Sequence, residues 1–296
     1  MDCSSILFSI IIPTYNRARI IEQTLKAVLS QSYNNFEVIV VDDGSTDDTA
    51  TVVSSFVDER IKYCRQANGE RGTARNYGTR LAIGQYVNFF DSDDCMYSNH
   101  LETALRIIQK YHCPEVFHVA YEMRTPEGNI VKKVNQFGGE VADSLIISND
   151  LACNSVFVRR DIALQHPFCE ERTLASAEDW ELWLRLASRY PFYYTNVITY
   201  ALICHPQRSL NQISVDKIIK RDIFLIQVLL QDQYFTKKYE NRLAFFVSNR
   251  YTFITLNLAL SKERRWQTLY FLLKAIQADW TVIGRKRFLA SIKHWF

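Results

Sequence analysis

The sequence lacks the features of fibrous, disulfide-stapled and membrane-spanning proteins. Only 9 of its 296 residues are glycine and 6 are proline, and 48% are hydrophobic, which excludes a collagenous or disordered chain. The seven cysteines are scattered, with no C-x-x-C pair, so we expect reduced thiols and neither a disulfide framework nor a zinc site. No apolar run reaches the roughly 18 residues of a membrane span. These absences predict a cytoplasmic globular protein.

Strand and helix patterns alternate over the first hundred residues. Continuous apolar runs at 7–12 and 36–41 are typical of strands buried on both faces of a parallel sheet, and the first is too short and too poor in basic flanking residues for a signal peptide. Shorter strands are expected at 61–65 and 86–90. Helical patterns lie between them, the first capped by Asn16. We predict parallel βαβ units, with an active site at the carboxyl ends of the strands.

Beyond residue 100 the alternation loosens. Helices are expected at 101–111 and 178–190, and a turn at 126–129 predicts an antiparallel hairpin. From residue 215 onward the pattern is helical. The expected fold is therefore α/β, with a mostly parallel, Rossmann-like central sheet flanked by helices in residues 1–214. Residues 215–296 are expected to form a helical C-terminal subdomain.

Charge divides the chain at the same place. Residues 215–296 hold 15 Lys and Arg against 6 Asp and Glu, a net charge of +9, whereas the whole chain carries only +3. One predicted apolar face on this segment comprises Trp266, Leu269, Tyr270, Leu273 and Ile276. We favour docking on an anionic inner-leaflet membrane surface, and a packed subdomain or a homodimer interface is the alternative. No nucleic-acid-reading motif is present.

Two acidic clusters follow predicted strands. Asp91-Ser92-Asp93-Asp94 comes after the strand at 86–90, and its carboxylates would suit a hard divalent cation such as Mg²⁺ or Mn²⁺. A solvated turn that caps the next helix is the plainer alternative. Asp42 and Asp43 follow the second strand, where a carboxylate can accept hydrogen bonds from a base or ribose.

Two helix starts add further candidates. A glycine-bearing loop enters a helix that contains Arg71 and Arg75, which favours phosphate binding, although a charged surface helix would look the same. Glu178 and Asp179 open an amphipathic helix, where acidic residues are favoured by the helix dipole in any case. Position alone gives Asp179 no catalytic role.

Five segments together resemble the family 2 glycosyltransferases, which have the GT-A fold. They are F-S-I-I-I-P-T-Y-N-R at 8–17, V-I-V-V-D-D-G-S-T-D-D-T at 38–49, A-R-N at 74–76, D-S-D-D at 91–94 and E-D-W-E-L-W-L-R at 178–185. Their order and spacing cover residues 6 to about 210. The resemblance does not extend to the helical tail.

The resemblance implies inverting, metal-dependent transfer of a sugar from a nucleotide-diphosphate donor to an acceptor hydroxyl. The implied donor-binding residues are Pro13, Thr14, Tyr15, Asp42, Asp43, Arg71, Arg75 and Asp91. Residues 13–15 would line the nucleoside pocket, the Asp42–Asp43 pair would bind the base, and Asp91 the ribose. Arg71 and Arg75 would approach the diphosphate.

The remaining implied roles concern the metal and the base. Asp93 and Asp94 would ligate Mn²⁺ or Mg²⁺, and Asp179 would be the general base. His205 stands where the family often has an R-x-H motif, but the arginine is replaced here, so His205 is a candidate metal contact or a structural histidine.

The resemblance favours a glycosyltransferase of bacterial surface-polysaccharide assembly, such as capsule, O-antigen or exopolysaccharide. Its acceptor would be a saccharide or a lipid-linked saccharide, and the enzyme would be cytoplasmic and peripheral to the plasma membrane. A sugar nucleotidyltransferase is one alternative, but it would need a glycine-rich basic loop where Pro13-Thr14-Tyr15-Asn16-Arg17 stands. A non-catalytic nucleotide-sugar-binding module is the other.

Overall fold

The computed structural model describes residues 5–135, 140–205, 213–261 and 264–295. The strands of this part are β1 Phe8–Thr14, β2 Phe36–Asp42, β3 Ile61–Arg65, β4 Tyr86–Phe89, β5 Cys95–Met96, β6 Val116–Arg124, β7 Ile130–Val134, β8 Val156–Arg159 and β9 Phe192–Ile203. The helices are α1 Ile21–Leu29, α2 Thr49–Ser54, α3 Glu70–Leu81, α4 His100–Lys110, α5 Val141–Leu145, α6 Arg160–Gln165, α7 Glu178–Ala187, α8 Val215–Gln231, α9 Gln233–Lys238, α10 Leu243–Ser261, α11 Arg265–Ala278 and α12 Lys286–Trp295.

The strands of the described residues form one sheet. Its order is β3-β2-β1-β4-β8-β6-β9-β5, with β7 paired to β6. Strands β1 to β4 pair in parallel, as the βαβ pattern predicts. Beyond β4 the sheet is mixed, because β8 runs antiparallel to both β4 and β6 while β6 and β9 are parallel. The predicted hairpin is confirmed as the β6–β7 pair.

The register of the parallel strands determines where the loops meet. Thr14 at the end of β1 lies opposite Asp42 at the end of β2, and Ile11 lies opposite Phe89 at the end of β4. The segments that follow these three strands therefore leave the sheet at the same edge. Both acidic clusters belong to these segments, which confirms their expected placement.

Two hydrophobic clusters cover the two faces of the sheet. Along β1, Ile10 and Ile12 belong to one cluster and Ile11 to the other, because successive side chains of a strand point to opposite faces. The second of these clusters, the one with Ile11, also includes Leu225 of α8 and Phe246 of α10. The first part of the helical tail thus packs on the sheet, and a boundary at residue 214 stays a prediction.

The last helices rest mainly on α10. Small clusters around Leu258 and Phe271, and around Ala275 and Phe288, hold α11 and α12 in place. One residue of the predicted apolar face, Ile276, packs against the cluster that contains the buried Phe288.

Part of the basic charge of the tail is also used internally. The guanidinium of Arg285 pairs with Asp279, and that of Arg287 donates to the side-chain oxygen of Asn249 over 2.8 Å. Arg221 and Arg250 both pair with Asp222, which is fully buried. Phe296 lies outside the described residues.

Two expectations about local structure are wrong, and one strand has no counterpart among the expected elements. Asn16 does not cap α1, which begins at Ile21; it adopts a left-handed backbone (φ 52°) and its side chain accepts a hydrogen bond from the Thr46 amide. The sequence pattern also fails to predict β9, a strand of 12 residues. Cys113 is disulfide-bonded, whereas Cys64 and four other described cysteines are free thiols.

No helix in the described part of the chain is both long enough and apolar enough to cross a membrane.

Helix α3 approaches the sheet closely enough to require glycine at one position. A Cβ atom on Gly78 would lie 2.4 Å from Cγ2 of Ile11 and 3.2 Å from Cγ2 of Val41. Those two residues are fully buried in β1 and β2, so they have little room to move.

We expect Gly78→Ala to lower the free energy of unfolding by about 1–3 kcal/mol, because overpacking a buried contact outweighs the gain in helix propensity. Chemical denaturation measures this difference. Gly284→Ala is the matched control, since a Cβ there meets nothing within 4 Å. Equal stability of the two variants would contradict the close packing of α3.

Candidate active site

A crevice of about 670 Å³ opens at the carboxyl edge of β1, β2 and β4. Its walls come from the loops after these strands, the starts of α3 and α7, the segment before β8, and parts of β6 and β9. Sequence-predicted site residues on these walls are Pro13, Thr14, Tyr15, Asp43, Arg71, Arg75, Asp91, Asp93, Asp94 and Asp179. The structure therefore brings ten of the twelve candidates to one cavity, leaving Asp42 and His205 outside its lining.

Three carboxylates converge in this crevice. One oxygen from each of Asp91, Asp93 and Asp94 lies within 4.8 Å of the others. Asp91 and Asp93 are partly exposed to the crevice, whereas Asp94 is buried. A cluster of this kind costs electrostatic repulsion unless cations neutralise it.

The aspartate cluster is held by a residue that no sequence motif indicates. The amide of Asn154 donates to Asp94 over 2.7 Å, and its side-chain oxygen accepts from the backbone amide of Asp91 over 2.9 Å. Asn154 is itself buried, in a short turn just before β8. The other oxygen of Asp94 accepts from the amide of Ile203, at the end of β9. Two strands remote in sequence thus fix the carboxylate of Asp94.

Arg75 connects the aspartate cluster to α7. Its guanidinium lies 2.8 Å from a carboxylate oxygen of Glu178 and 2.9 Å from one of Asp91, and it also stacks over the ring of Phe168. The side chain of Arg75 is only 2% exposed. A cation so deeply buried must be paired, and two carboxylates satisfy that requirement here.

Asp179 lies next to this ion-pair network. Burial raises its pKa to about 6, the negative charge of Glu178 acts in the same direction, and the positive charge of Arg75 opposes both. One of its oxygens accepts a hydrogen bond from the backbone amide of Trp180 over 2.7 Å. A carboxylate with a pKa of about 6 is ionised at neutral pH and is more basic than an ordinary aspartate, so it is suited to accept a proton.

Asp93 interacts with two further side chains. The Arg17 guanidinium lies 3.3 Å from its carboxylate, and Nε2 of His205 lies 3.1 Å from the same oxygen. Arg17 lines the crevice, and sequence analysis does not identify it. Arg17 is the last residue of the motif at 8–17, but the motif alone does not assign it a role.

The second acidic cluster is divided by the structure. Asp43 lines the crevice, and its oxygens accept hydrogen bonds from the backbone amides of Gly69 and Glu70, so it holds the loop that enters α3. Asp42 is fully buried, and it accepts from the Ser45 amide over 2.7 Å and from the Tyr63 hydroxyl over 2.6 Å. The geometry gives Asp42 a supporting position behind the crevice wall.

The aspartate cluster fits a divalent cation chemically. Its donors are carboxylate oxygens, which Mg²⁺ and Mn²⁺ prefer. The nearby charges of Arg17 and Arg75 partly neutralise the cluster without removing those donors. Asp91, Asp93 and Asp94 would be the residues that hold such an ion.

Comparison with known protein families agrees with this geometry. Residues 9–162, slightly more than half of the chain, match the model of glycosyl transferase family 2. An uncharacterized glycosyltransferase of Rickettsia conorii is 34% identical over 185 residues, which are 61% of this chain and 30% of that protein. The chondroitin synthase of Escherichia coli is 27% identical over 216 residues, which are 71% of this chain and 31% of that protein. The chain thus spans about a third of the length of these relatives.

Solved structures show the same fold over nearly the whole chain. Residues 1–349 of Staphylococcus aureus TarS in complex with UDP-GlcNAc superpose with a TM-score of 0.72 at 23% identity, covering 97% of this chain and 87% of that one. The mannosyltransferase PcManGT of Pyrobaculum calidifontis, in complex with GDP-Man and Mn²⁺, gives a TM-score of 0.61 at 17% identity, with 99% and 80% covered.

The match over residues 9–162 contains the first four of the five motifs except for Phe8, and residues from all five motifs line the crevice. Both alternatives, a nucleotidyltransferase and a non-catalytic module, are disfavoured by relatives named as glycosyltransferases. The chain belongs to glycosyl transferase family 2 and has the GT-A fold.

Proposed function

We propose that this enzyme transfers a sugar from a nucleotide-diphosphate sugar to an acceptor hydroxyl with inversion at the anomeric carbon. The observation that carries the proposal is the placement of Asp179, with its raised pKa, in the same crevice as the Asp91, Asp93 and Asp94 cluster. Inversion needs a base on one side of the sugar and stabilisation of a leaving diphosphate on the other. One crevice holds candidates for both tasks.

The proposed step is a single displacement. The acceptor oxygen forms a bond to the anomeric carbon while the bond from that carbon to the diphosphate oxygen breaks, through an oxocarbenium-like transition state. The acceptor proton passes to a carboxylate oxygen of Asp179, and the nucleoside diphosphate leaves with the bonding electron pair. The Arg75–Glu178 ion pair holds the start of α7, so Glu178 and Arg75 position Asp179.

We further propose that the transfer depends on a divalent cation, Mn²⁺ or Mg²⁺, held by Asp91, Asp93 and Asp94. When bound, such an ion supplies positive charge to the leaving diphosphate. Arg17 and His205 contact the same oxygen of Asp93, and the positive charge of Arg17 offsets part of the negative charge of that carboxylate. A direct metal contact by His205 stays a prediction.

The donor site is proposed to follow the crevice wall from β1 to α3. Tyr15 is half-exposed and Thr14 is buried beside it, so residues 13–15 offer an apolar and aromatic surface for a nucleoside. Asp43 lies at the end of this donor site where the nucleobase would bind, and Asp42 supports the turn behind it. Arg71 lines the crevice at the start of α3 and is the candidate phosphate contact, while Arg75 stays in its buried ion pairs.

The proposed setting is assembly of a bacterial surface polysaccharide. TarS is described in complex with UDP-GlcNAc and PcManGT in complex with GDP-Man, which supports a nucleotide-sugar donor here. A chondroitin synthase among the relatives supports a saccharide acceptor. We propose a saccharide or lipid-linked saccharide acceptor, and a cytoplasmic enzyme peripheral to the inner face of the plasma membrane.

We expect Asp179→Asn to lower kcat roughly 10²- to 10⁴-fold, because the amide cannot accept the acceptor proton. Turnover and nucleotide binding should be measured over a panel of nucleotide sugars, and binding should persist. Asp161→Asn, in α6 and away from the crevice, is the matched control. The native pKa of Asp179 is raised, so its ionised form destabilises the fold as pH rises, and Asp179→Asn should keep or increase Tm at pH 8. Unchanged turnover would remove Asp179 as the base.

We expect kcat/KM to rise with pH through a midpoint near 6 and then to level off, because Asp179 must be ionised to act as a base. Glu178→Gln should move this midpoint to lower pH, since loss of the neighbouring negative charge makes Asp179 easier to ionise. Glu181→Gln changes another buried carboxylate of α7 and should leave the midpoint in place. If Glu178→Gln left the midpoint unchanged, the assignment of Asp179 as the base would be contradicted.

We expect Asn154→Ala to weaken Mn²⁺ binding by about 10- to 100-fold, because Asp91 and Asp94 lose the side chain that orients them. Calorimetric titration of Mn²⁺ in the presence of a nucleoside diphosphate measures this directly. Asn129→Ala, in the exposed β6–β7 turn, is the matched control. Equal affinities for the two variants would show that Asn154 does not support the metal site.

A further inference from the structure

Helix α11 has an apolar surface on the side that faces away from the protein. Trp266 is 84% exposed, Tyr270 54% and Leu273 57%. These three residues, named here the aromatic stripe, are spaced by four and three positions, so they share one face of the helix.

The opposite face of α11 is the one that packs. The buried side chains of this helix are Thr268, Phe271, Leu272 and Ala275. They lie about 180° around the helix from the aromatic stripe, at 100° per residue. Helix α11 is therefore apolar on both sides, but only one side has a partner among the described residues. Surface helices of globular proteins normally carry polar residues on the outer face.

Exposed cations occur in the same segment of the chain as the aromatic stripe. Residues 264–295 contain seven lysines and arginines against a single aspartate. Some of these cations have internal partners, as Arg264 does with Asp216. Arg265, Lys286 and Lys293 are exposed and form no ion pair with any described residue. Among the described residues 264–295, the side-chain charges that lie outside ion pairs are therefore all positive.

Two Trp residues and one Tyr add a chemical preference. Trp280, in the turn after α11, is 75% exposed, so this region presents a second indole besides that of Trp266. Exposed indole and phenol rings beside lysine and arginine are favoured at the boundary between lipid headgroups and acyl chains. A second copy of this chain would present the same positive charge, so the electrostatics disfavour a homodimer through this face.

We propose that the aromatic stripe, with Trp280 and the cations Arg265, Lys286 and Lys293, is the surface by which the enzyme docks on an anionic lipid bilayer. The rings enter the headgroup region and the cations contact lipid phosphates. This inference rests on the proposed location at the membrane, but it does not depend on the proposed transfer chemistry.

Vesicle sedimentation of the full chain tests the proposal. We expect binding to vesicles of phosphatidylcholine with phosphatidylglycerol, and little binding to phosphatidylcholine alone. Trp266→Ser with Tyr270→Ser should weaken this binding by about tenfold or more, from the lost burial of two rings. Val57→Ser with Ile83→Ser is the matched control, because both side chains are highly exposed and lie outside the helical tail.

Charge substitution separates the two components of docking. Lys286→Gln with Lys293→Gln should weaken binding roughly fivefold for each charge removed, with a smaller effect at high salt. The control is Lys132→Gln with Lys133→Gln, two exposed lysines on β7. The tryptophan fluorescence emission of the wild-type protein should shift to shorter wavelength when anionic vesicles are added. Trp266→Phe should reduce that shift.

Three outcomes would overturn the proposal. They are equal recovery with and without anionic lipid, equal loss of binding in the stripe variant and its control, and a wild-type dimer that the stripe substitutions convert to a monomer. Sedimentation velocity without vesicles detects the last outcome. Hydrolysis of the nucleotide sugar in aqueous buffer should be unchanged in the stripe variant, so failure of docking and failure of the proposed chemistry give different results.

Discussion

The ion pairs of Arg75 are the interaction on which the site depends. One buried guanidinium joins α3 to Asp91 at the end of β4 and to Glu178 at the start of α7. Removing a charge from such a network leaves the others buried and unpaired, which is costly. The network therefore fixes the distance between the proposed metal site and the proposed base. It also sets the electrostatics of Asp179, since Glu178 and Arg75 act on its pKa in opposite directions.

The central sheet holds the residues around this network in place through both its parallel and its antiparallel strands. Parallel strands β1, β2 and β4 bring their loops to one edge, and the antiparallel strand β8 brings Asn154 to the same place. Burial of Asp94 and Asn154 carries little energetic cost because their polar atoms are hydrogen-bonded to each other. The helical tail contributes to the same core through α8 and α10. Helix α11 of this tail carries the exposed aromatic stripe.

Much of the fold could be predicted from local patterns. The parallel strands, the hairpin and the long C-terminal helices follow from apolar periodicity and turn residues. Strand β9 could not, because its residues 192–203 mix aromatic and polar side chains, and its pairing with β6 is what stabilises it. Asn16 illustrates the same limit. Its residue type favours a helix cap, but its contact with the loop at Thr46 gives it a different conformation.

The sequence by itself determined the candidate chemistry, because carboxylates after buried strands and at a helix start are visible in the order of residues. It could not determine which carboxylate does what. Asp42 and Asp43 are neighbours in sequence, but only Asp43 faces the crevice. Asn154, Arg17 and the raised pKa of Asp179 likewise depend on contacts between segments far apart in the chain. Burial and charge pairing are properties of the folded arrangement, so only the tertiary structure decided them.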